Sequence, residues 1–351
     1  MKFLHLINVR WYNATAWYAV NLSRLLSERG HNVVVAGLPG SPPVLKAKEY
    51  GLETFEAEFN SSNPFKFIKT INKVNKLLAD FNPDYVNCHR GEFFWYFAFL
   101  KCFKKKRFKL IRVRGDIRPP SGDFFNRILH RKCVDKIIVS GGIIKNYFVK
   151  DLKISSEKID VIYGGVDTDY FKTDIKAREK IRKEFGFAQD DFVVGIVGRF
   201  DYVKGHNVLI EAVSKLYYEK DLKNIKLFLI GFDTTVKSEE IFEQLKNFKI
   251  NDISRISGYR EDINDCINAI DLGVVASLGS EAICRVAMEI MAAGIPVVSS
   301  DAGVLPEILP KENIYPKGNA DKLAEKIINH SKNIILYSDS DFANDYLKSI
   351  N

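Results

Sequence analysis

The stretch SLGSEAICRVAMEIMAAGIPVVSS, residues 277–300, decides the fold of this chain. It begins with a small polar loop, continues as a helical segment rich in Ala, Met and Ile, stops at Gly294, and resumes after Pro296 as a β-branched strand. This order of loop, helix, tight turn and buried strand is typical of an α/β unit. Glu281 lies just before the predicted helix and Glu289 lies within it.

The start of this predicted helix is a candidate ligand site. The first N–H groups of a helix have no partner inside it, and the helix dipole favours negative charge there. We expect Ile283, Cys284 and Arg285 to offer such groups between the two glutamates. The pattern therefore indicates an anionic or hydroxyl-rich ligand.

Predicted strands alternate with predicted helices from the start of the chain up to this stretch. Buried strands are predicted near residues 2–9, 31–38, 81–90, 109–114, 134–140, 159–163, 192–200, 226–231, 255–262 and 271–277. We therefore expect an α/β protein with two doubly wound, Rossmann-like parallel-sheet domains. The charged segment 172–183 marks their boundary, which gives domains of residues 1–175 and 176–330 and a C-terminal tail or helix of residues 331–351.

Composition narrows the possible compartments. With 351 residues and 46% hydrophobic content, the chain is long enough for two cores. No run reaches the roughly 18 apolar residues of a membrane span, and the first residues alternate like a strand rather than a signal peptide. The five cysteines are scattered without a CxxC pair, so we expect reduced, mostly buried thiols in a cytoplasmic protein.

Positive charge is concentrated in the first half of the chain. Residues 1–175 contain 29 Lys and Arg against 17 Asp and Glu, whereas the rest contains 23 against 27. This asymmetry indicates an anionic partner: phospholipid, phosphorylated glycan, or nucleic acid, for which we expect only non-specific binding.

Residues 93–109 combine an aromatic run with the basic residues 104–107. One interpretation is a helix that lies at the inner face of the cytoplasmic membrane, with its rings among the acyl chains and its cations at anionic headgroups. The other interpretation is a core helix with a solvated basic end.

The spacing of Glu281 and Glu289, followed by Gly-Ile-Pro-Val-Val, resembles the signature of retaining glycosyltransferases of family 4. That family has the GT-B fold, in which two Rossmann-like domains face a central cleft. The resemblance covers most of the chain and is strongest from about residue 195 to 306. It implies transfer of a sugar from a nucleotide-sugar donor to a hydroxyl of a glycan or lipid-linked acceptor, in the synthesis of cell-envelope polysaccharide or lipopolysaccharide. No metal or other cofactor is implied.

The second half of the chain supplies the donor site that the resemblance implies. Arg199 and Lys204 stand on a loop between a strand and a helix N-terminus, which suits a diphosphate; the alternative is two solvated cations. By the resemblance, these two cations neutralise the leaving diphosphate, Glu281 holds the donor sugar, and Glu289 holds the ribose hydroxyls. The full implied donor set is Gly198, Arg199, Lys204, Tyr259, Arg260, Glu281, Ile283, Cys284, Arg285 and Glu289.

The chain departs from the family where the helix begins. Ala282, Ile283 and Cys284 replace the usual Gly-Phe-Gly, and Arg285 stands where an aliphatic residue is common. The bulkier residues narrow the space for the sugar. We hypothesise that Arg285 meets a carboxylate or phosphate on the donor or acceptor.

Three residues of the first half are candidates for acceptor binding. Asn13 occupies the first loop, His89 ends the strand of residues 81–90, and Asp116 follows the strand of residues 109–114. Polar residues at the carboxyl ends of strands are well placed for ligands, and His89 and Asp116 are also candidate catalytic groups, together with Arg199, Lys204 and Glu281. The alternatives are a buried strand-end histidine for His89 and a turn cap for Asp116.

Three other classes compete with this interpretation. A dinucleotide-dependent oxidoreductase would need a GxGxxG motif after the first strand, and this sequence has none there. A metal-dependent transferase is suggested by Asp167 and Asp169, but that pair lies in the predicted linker, and nothing else in the sequence indicates a carboxylate metal site. A non-catalytic, two-lobed protein that binds a sugar or nucleotide-sugar shares the expected architecture and remains the alternative.

Overall fold

The structure is a computed structural model that describes residues 1–104, 106–279, 281–332 and 334–351. Two residues of the stretches discussed above, Lys105 of the basic run and Ser280 of the segment 277–300, lie outside the described residues. The chain divides into two compact units. Unit 1 comprises Met1–Gly164 and Asp339–Asn351, and unit 2 comprises Gly165–Ser338.

Unit 1 is built on a parallel sheet. Its strands are β1 (Lys2–Ile7), β2 (Asn32–Gly37), β3 (Glu53–Glu56), β4 (Tyr85–Cys88), β5 (Lys109–Arg114), β6 (Lys136–Val139) and β7 (Ile159–Val161). They lie in the order β3-β2-β1-β4-β5-β6-β7. The helices of the unit are α1 (Ala14–Glu28), α2 (Pro42–Glu49), α3 (Pro64–Phe81), α4 (Phe94–Phe103), α5 (Phe124–Ile128), α6 (Gly142–Lys150) and α14 (Asp339–Ile350).

Unit 2 repeats this architecture. Its strands are β8 (Phe192–Val197), β9 (Ile225–Ile230), β10 (Ser254–Ile256), β11 (Leu272–Val275), β12 (Val297–Ser300) and β13 (Ile314–Tyr315), in the order β10-β9-β8-β11-β12-β13. Its helices are α7 (Ile175–Phe185), α8 (His206–Tyr218), α9 (Ser238–Asn247), α10 (Ile263–Asn268), α11 (Arg285–Ala292), α12 (Leu305–Ile308) and α13 (Ala320–Ile328).

The central strands are apolar because helices cover both faces of each sheet. Five of the six residues of β1 are buried, and four of the six in β8. The prediction of two doubly wound α/β domains is confirmed. In such sheets ligands bind at the carboxyl ends of the strands where the strand order reverses. That place lies between β1 and β4 in unit 1 and between β8 and β11 in unit 2.

The boundary between the units differs from the predicted position at residue 175. The segment just before residue 175 is bonded to the rest of unit 2: the backbone N–H of Lys172 donates to Asn264 Oδ1 at 3.2 Å, and that of Asp174 donates to Asn268 Oδ1 at 2.7 Å. The boundary therefore lies between Gly164 and Gly165. The charged segment 172–183 did not reveal this boundary, because the contacts that place residues 172 and 174 in unit 2 are made by backbone N–H groups rather than by charged side chains.

A tail or a helix was expected for residues 331–351, and the structure contains a packed helix there, α14. α14 buries Phe342, Ala343, Tyr346 and Ile350, which share one face, and it belongs to unit 1. The hydroxyl of Tyr346 donates to Asn87 Oδ1 on β4 at 2.6 Å. This helix is polar apart from that face, which made its pattern weak.

One sequence prediction about the cysteines is wrong. Cys102 and Cys133 are joined in a disulfide, whereas Cys88, Cys266 and Cys284 are free and buried. The two partners are 31 residues apart in sequence. The fold brings the end of α4 against the π-helical turn Leu129–Cys133, and this proximity cannot be read from cysteine spacing.

A helix must be about 20 residues long and mostly apolar to cross a lipid bilayer. Within residues 1–104, 106–279, 281–332 and 334–351, no helix has both the length and the apolar character needed to cross it.

Candidate active site

A tight approach between two loops creates the centre of the candidate site in unit 2. β8 leads through a 3-10 turn, Tyr202–Lys204, into α8, and Gly205 joins the turn to the helix with φ of 69°. A Cβ atom at Gly205 would lie 2.1 Å from the carbonyl oxygen of Ala276, just past β11. Only glycine permits this approach together with this φ.

The approach brings Lys204 onto Glu281. Lys204 Nζ lies 2.7 Å from Glu281 Oε1, and the hydroxyl of Ser277 donates to the same oxygen at 2.5 Å. Glu281 is buried, while Lys204 is partly exposed. The backbone at Glu281 is also constrained. Its carbonyl oxygen accepts a hydrogen bond from the N–H of Val304, and a Cβ atom at Gly303 would lie 1.9 Å from that oxygen, so only glycine fits at position 303. A lysine and a carboxylate are thus fixed next to each other at the carboxyl ends of β8 and β11.

Arg199 stands on the same loop as Lys204 but is more open. More than half of its side chain is exposed, and its guanidinium contacts Asp201 at 3.0 Å. Gly198, which precedes it, has a φ of 155°. The structure therefore places both predicted phosphate-binding cations after β8, one paired with a carboxylate of its own loop and one with Glu281.

Glu289 lies on α11 and is almost completely buried. Burial raises the pKa of its carboxyl group, and the nearby guanidinium of Arg285 opposes this effect. Arg285 Nη2 donates to Glu289 Oε1 at 2.8 Å across one helical turn. Arg285, predicted to meet an anion on a substrate, is thus paired with a carboxylate of this chain.

The helix start has an unusual backbone. Cys284 caps α11 with φ of 50°, a left-handed conformation that costs about 1–2 kcal/mol for a residue with a Cβ. Burial, followed by the charge of Glu281, raises the pKa of its thiol well above the usual value. Ile283 is also buried. Both side chains point into the protein, so only their backbone groups can face a ligand.

The predicted nucleobase contacts behave differently from each other. Tyr259 follows β10, is 69% exposed, and its ring meets Phe232 edge-on at 5.6 Å. Arg260 instead binds Glu184 and Asp262 with both edges of its guanidinium. The aromatic pair is open to a ligand, whereas Arg260 already has two carboxylate partners.

In unit 1, Asn13 caps a helix and Asp116 caps a turn. Asn13 Oδ1 accepts from the backbone N–H of Ala16 at 3.0 Å and begins α1. Asp116 Oδ1 accepts from the backbone of Arg118, and the guanidinium of Arg118 holds both carboxylate oxygens. Burial favours a higher pKa for Asp116, but these hydrogen bonds outweigh it and hold the pKa below the usual value. The geometry of Asp116 thus matches the turn-cap alternative.

His89 lies inside a buried chain of hydrogen bonds. Asn87 Nδ2 donates to His5 Nε2 at 3.1 Å, so His5 Nδ1 carries the proton and donates to His89 Nε2, also at 3.1 Å. Burial first, and then electrostatic interaction with His5 and with the cation Arg112, lowers the pKa of His89 well below its usual value. A neutral, buried imidazole matches the alternative of a strand-end histidine rather than an exposed catalytic group.

Asp167, the first aspartate of the DxD pair, has a structural role. Asp167 Oδ1 accepts from the backbone N–H groups of Asp169 and Tyr170, which closes a turn. Among the residues that the structure describes, no group of three or more His, Cys, Asp and Glu side chains is arranged to hold a metal ion.

Sequence reasoning missed three residues of this site. Ser277 anchors Glu281, Gly205 permits the contact with Lys204, and Phe232 pairs with Tyr259. A signal for Phe232 was present, because Phe232 and Tyr259 each follow a glycine at a strand end. The other two roles depend on contacts distant in sequence.

Two family models match the sequence, one in each half. Residues 15–170 match Glycosyltransferase Family 4, and residues 177–339 match Glycosyl transferases group 1.

Known proteins show the same similarity. An uncharacterised glycosyltransferase of Methanocaldococcus jannaschii is 33% identical over 176 residues, 48% of this chain and 43% of that protein. The UDP-Gal:alpha-D-GlcNAc-diphosphoundecaprenol alpha-1,3-galactosyltransferase of Escherichia coli is 26% identical over 174 residues, 50% of this chain and 44% of that enzyme. The matched segments thus span less than half the length of these curated relatives. The crystal structure of Anabaena HepE in complex with UDP shares the fold, with a TM-score of 0.83, 19% identity, and coverage of 100% of this chain and 99% of that one.

Proposed function

Because the chain belongs to glycosyltransferase family 4, whose two models together match most of its length, we propose that it is a retaining, metal-independent glycosyltransferase. It transfers a sugar from a nucleotide-sugar donor to a hydroxyl of a glycan or lipid-linked acceptor. The observation that carries this proposal is the contact of Lys204 with Glu281 at the carboxyl ends of β8 and β11.

The donor diphosphate binds at the loop that enters α8. There the helix N-terminus, Lys204 and Arg199 all favour negative charge. Lys204 exchanges its contact with Glu281 for a phosphate oxygen and stabilises the charge that develops on the departing diphosphate. Removing a contact of this kind costs about 3–4 kcal/mol of the activation barrier.

Two glutamates orient the rest of the donor. Glu281, which Ser277 keeps in place when Lys204 moves, accepts hydrogen bonds from hydroxyls of the donor sugar. Glu289 accepts from the two ribose hydroxyls, and the guanidinium of Arg285, which holds its carboxyl group in place, opposes the rise in pKa that burial causes. Tyr259 and Phe232 offer an aromatic surface to the base.

The reaction needs no nucleophile from the protein. The bond from C1 of the sugar to the diphosphate oxygen breaks, and a bond from C1 to the acceptor oxygen forms on the same face. The proton of the acceptor hydroxyl passes to the departing phosphate oxygen. Attack on the same face retains the anomeric configuration.

The comparisons support specific first substrates. The Anabaena neighbour binds UDP, and the Escherichia coli relative uses UDP-Gal and an acceptor linked through diphosphate to undecaprenol. We therefore propose a UDP-sugar donor and a lipid-linked acceptor in cell-envelope synthesis.

An aromatic stripe in unit 1 supports peripheral contact with an anionic membrane. The inner face of α4 is buried in the core, whereas Phe99 and Phe103 are exposed at positions one helical turn apart. Phe99 and Phe103 stack at 5.2 Å. Exposed cations follow the helix, namely Lys104, Lys106 and Arg107. Rings beside cations fit a lipid interface with negative headgroups. The helix itself ends at Phe103, earlier than the predicted stretch of residues 93–109.

The test is thermal unfolding of the full chain with UDP-, GDP-, ADP- and CMP-linked sugars, with and without EDTA. A ligand at 100 times its Kd stabilises by about 2.7 kcal/mol. We expect one nucleotide-sugar to stabilise the protein with EDTA present, and Glu289→Ala to remove this effect. Glu211→Ala is the matched control, because it breaks another contact between residues one turn apart, with Lys215 on α8.

A second step separates binding from catalysis. Product formation with the stabilising donor, followed by determination of its anomeric configuration, tests the retaining reaction. A donor that binds but is never transferred to any lipid-linked acceptor would instead support the non-catalytic sugar-binding alternative. Inversion of configuration would contradict the mechanism above.

A further inference from the structure

A pocket of unit 1 has no role in the donor site. It lies where β1 and β4 end, at the point where the strand order reverses, and its volume is about 610 Å³. This volume falls within the range of small-molecule sites, about 300–1,000 Å³. The segment after β1 contributes Asn8, Arg10 and Trp11, and the segment after β4 contributes Arg90 and Trp95.

The pocket has two aromatic faces. Trp11 is 75% exposed, and Trp95 is 45% exposed and stacks on Phe67 at 5.9 Å with an angle of 23° between the rings. A flat ring backed by another ring provides a rigid apolar face while the rest of the pocket stays polar. The C–H face of a pyranose is apolar and its edge carries hydroxyls, so this arrangement suits a sugar ring.

Charge at this sheet edge is strongly positive. Arg90 binds Glu92 at 2.9 Å and Asp116 is held by Arg118, so both carboxylates are already paired. Arg10 forms no ion pair with any residue in the described part of the chain. Below the surface, Arg112 Nη1 donates to the carbonyls of Cys88 and Val113.

The field of Arg112 reaches the pocket. Although burial alone would raise the pKa of Glu92, the hydrogen bond from Arg90, a backbone hydrogen bond and the charge of Arg90 hold it below its usual value, and the charge of Arg112 adds a smaller effect in the same direction. Cations at this edge therefore outnumber carboxylates, and the excess favours an anion.

A buried acceptor atom on the pocket wall completes the pattern. Asn8 is 2% exposed, and its Nδ2 donates to Asn60 Oδ1 at 3.0 Å and to the carbonyl of Glu92 at 3.3 Å. Its Oδ1 accepts no hydrogen bond within residues 1–104, 106–279, 281–332 and 334–351. Buried polar atoms usually have a partner, and a ligand hydroxyl can supply this one.

We infer that this pocket binds an anionic pyranoside, a sugar that carries a carboxylate or a phosphate group. The ring stacks between Trp11 and Trp95, its hydroxyl donates to Asn8, and its anionic group meets Arg10. The inference rests on the proposed function in one respect: this sugar is the part of the acceptor that the enzyme recognises.

The chain provides a direct readout, because two of its three tryptophans line the pocket. Tryptophan emission of the full chain is followed during titration with methyl glucoside, methyl glucuronide, glucose 6-phosphate and inorganic phosphate. No nucleotide is present, so the outcome is independent of the donor site. A charge-assisted contact with Arg10 predicts that at least one anionic sugar binds about tenfold more tightly than methyl glucoside.

Two variants sharpen the test. Arg10→Gln should remove the preference for the anionic sugar, whereas Arg107→Gln, which deletes an exposed arginine outside the pocket, should retain it. Preference for the glucuronide identifies a carboxylate, and preference for glucose 6-phosphate identifies a phosphate. Equal affinity for neutral and anionic sugars, an unchanged emission, or binding of inorganic phosphate as tight as that of glucose 6-phosphate would overturn the inference.

Discussion

Replacement of Gly205 by alanine tests whether one close approach builds the donor site. Gly205 has φ of 69°, and an added Cβ would lie 2.1 Å from the carbonyl oxygen of Ala276. Because non-bonded heavy atoms need about 3.5 Å, the two loops must separate by about 1.4 Å. Lys204 precedes this glycine and would move away from Glu281 with it.

A second glycine separates the effect of space from that of backbone conformation. Gly186 ends α7 with φ of 70°, and an added Cβ there would have no neighbour within 4 Å. Gly186→Ala should lower the free energy of unfolding by about 1–2 kcal/mol, the cost of a left-handed conformation. Gly205→Ala carries the same cost plus about 1–3 kcal/mol for overpacking.

Function should separate the two variants more clearly than stability. A displacement of 1 Å at a reacting group can reduce the rate about 100-fold. We therefore expect Gly205→Ala to lose nucleotide binding and most transferase activity, while Gly186→Ala retains both.

Urea unfolding and isothermal titration with UDP measure the two effects. Equal free energies of unfolding and equal UDP affinities for the two variants would refute the claim that the approach of Gly205 to Ala276 places Lys204.

Three further outcomes follow from burial and exposure. Burial lowers the pKa of His5 to about 3 and that of His89 well below 6.5, so below pH 6.5 the unfolded chain binds protons that the folded chain does not. For His5 alone, the free energy of unfolding should fall by about 1.4 kcal/mol when the pH is lowered from 7.5 to 5.5. In urea unfolding, His5→Gln should therefore show a weaker pH dependence than the wild type. Cys284, whose raised pKa and burial keep the thiol protonated, should resist iodoacetamide at pH 8 in the native protein and react once unfolded, as mass spectrometry can show; rapid native labelling would contradict its placement. Flotation with anionic vesicles at low salt should retain the wild type and lose the double variant Phe99→Ser and Phe103→Ser, whereas equal flotation of both would remove the aromatic stripe as the contact.

Much of the architecture could be predicted from local pattern. Continuous apolar runs such as FVVGIV in β8 require burial on both faces, and their alternation with helices leaves a doubly wound sheet as the natural solution. Polar residues placed after such strands, among them Lys204 and Arg199, could be assigned to a ligand-binding edge for the same reason.

Partner choice was decided by the tertiary structure. Arg285 is paired with Glu289 and Arg260 with two carboxylates, although each could equally have faced a substrate by sequence alone. His89 is hydrogen-bonded to His5 on the neighbouring strand β1 and is a buried, neutral group. Local sequence cannot show such pairings, because the partner is supplied by another element of the fold.

The sequence by itself determined which residues are apolar, where strands and helices alternate, and which polar groups follow the strand ends. Only the tertiary structure decided that Gly205 contacts Ala276, that Cys102 is bonded to Cys133, and that α14 belongs to unit 1. The physical reason is range: periodicity reports the faces of one element, whereas these contacts depend on how separate elements pack.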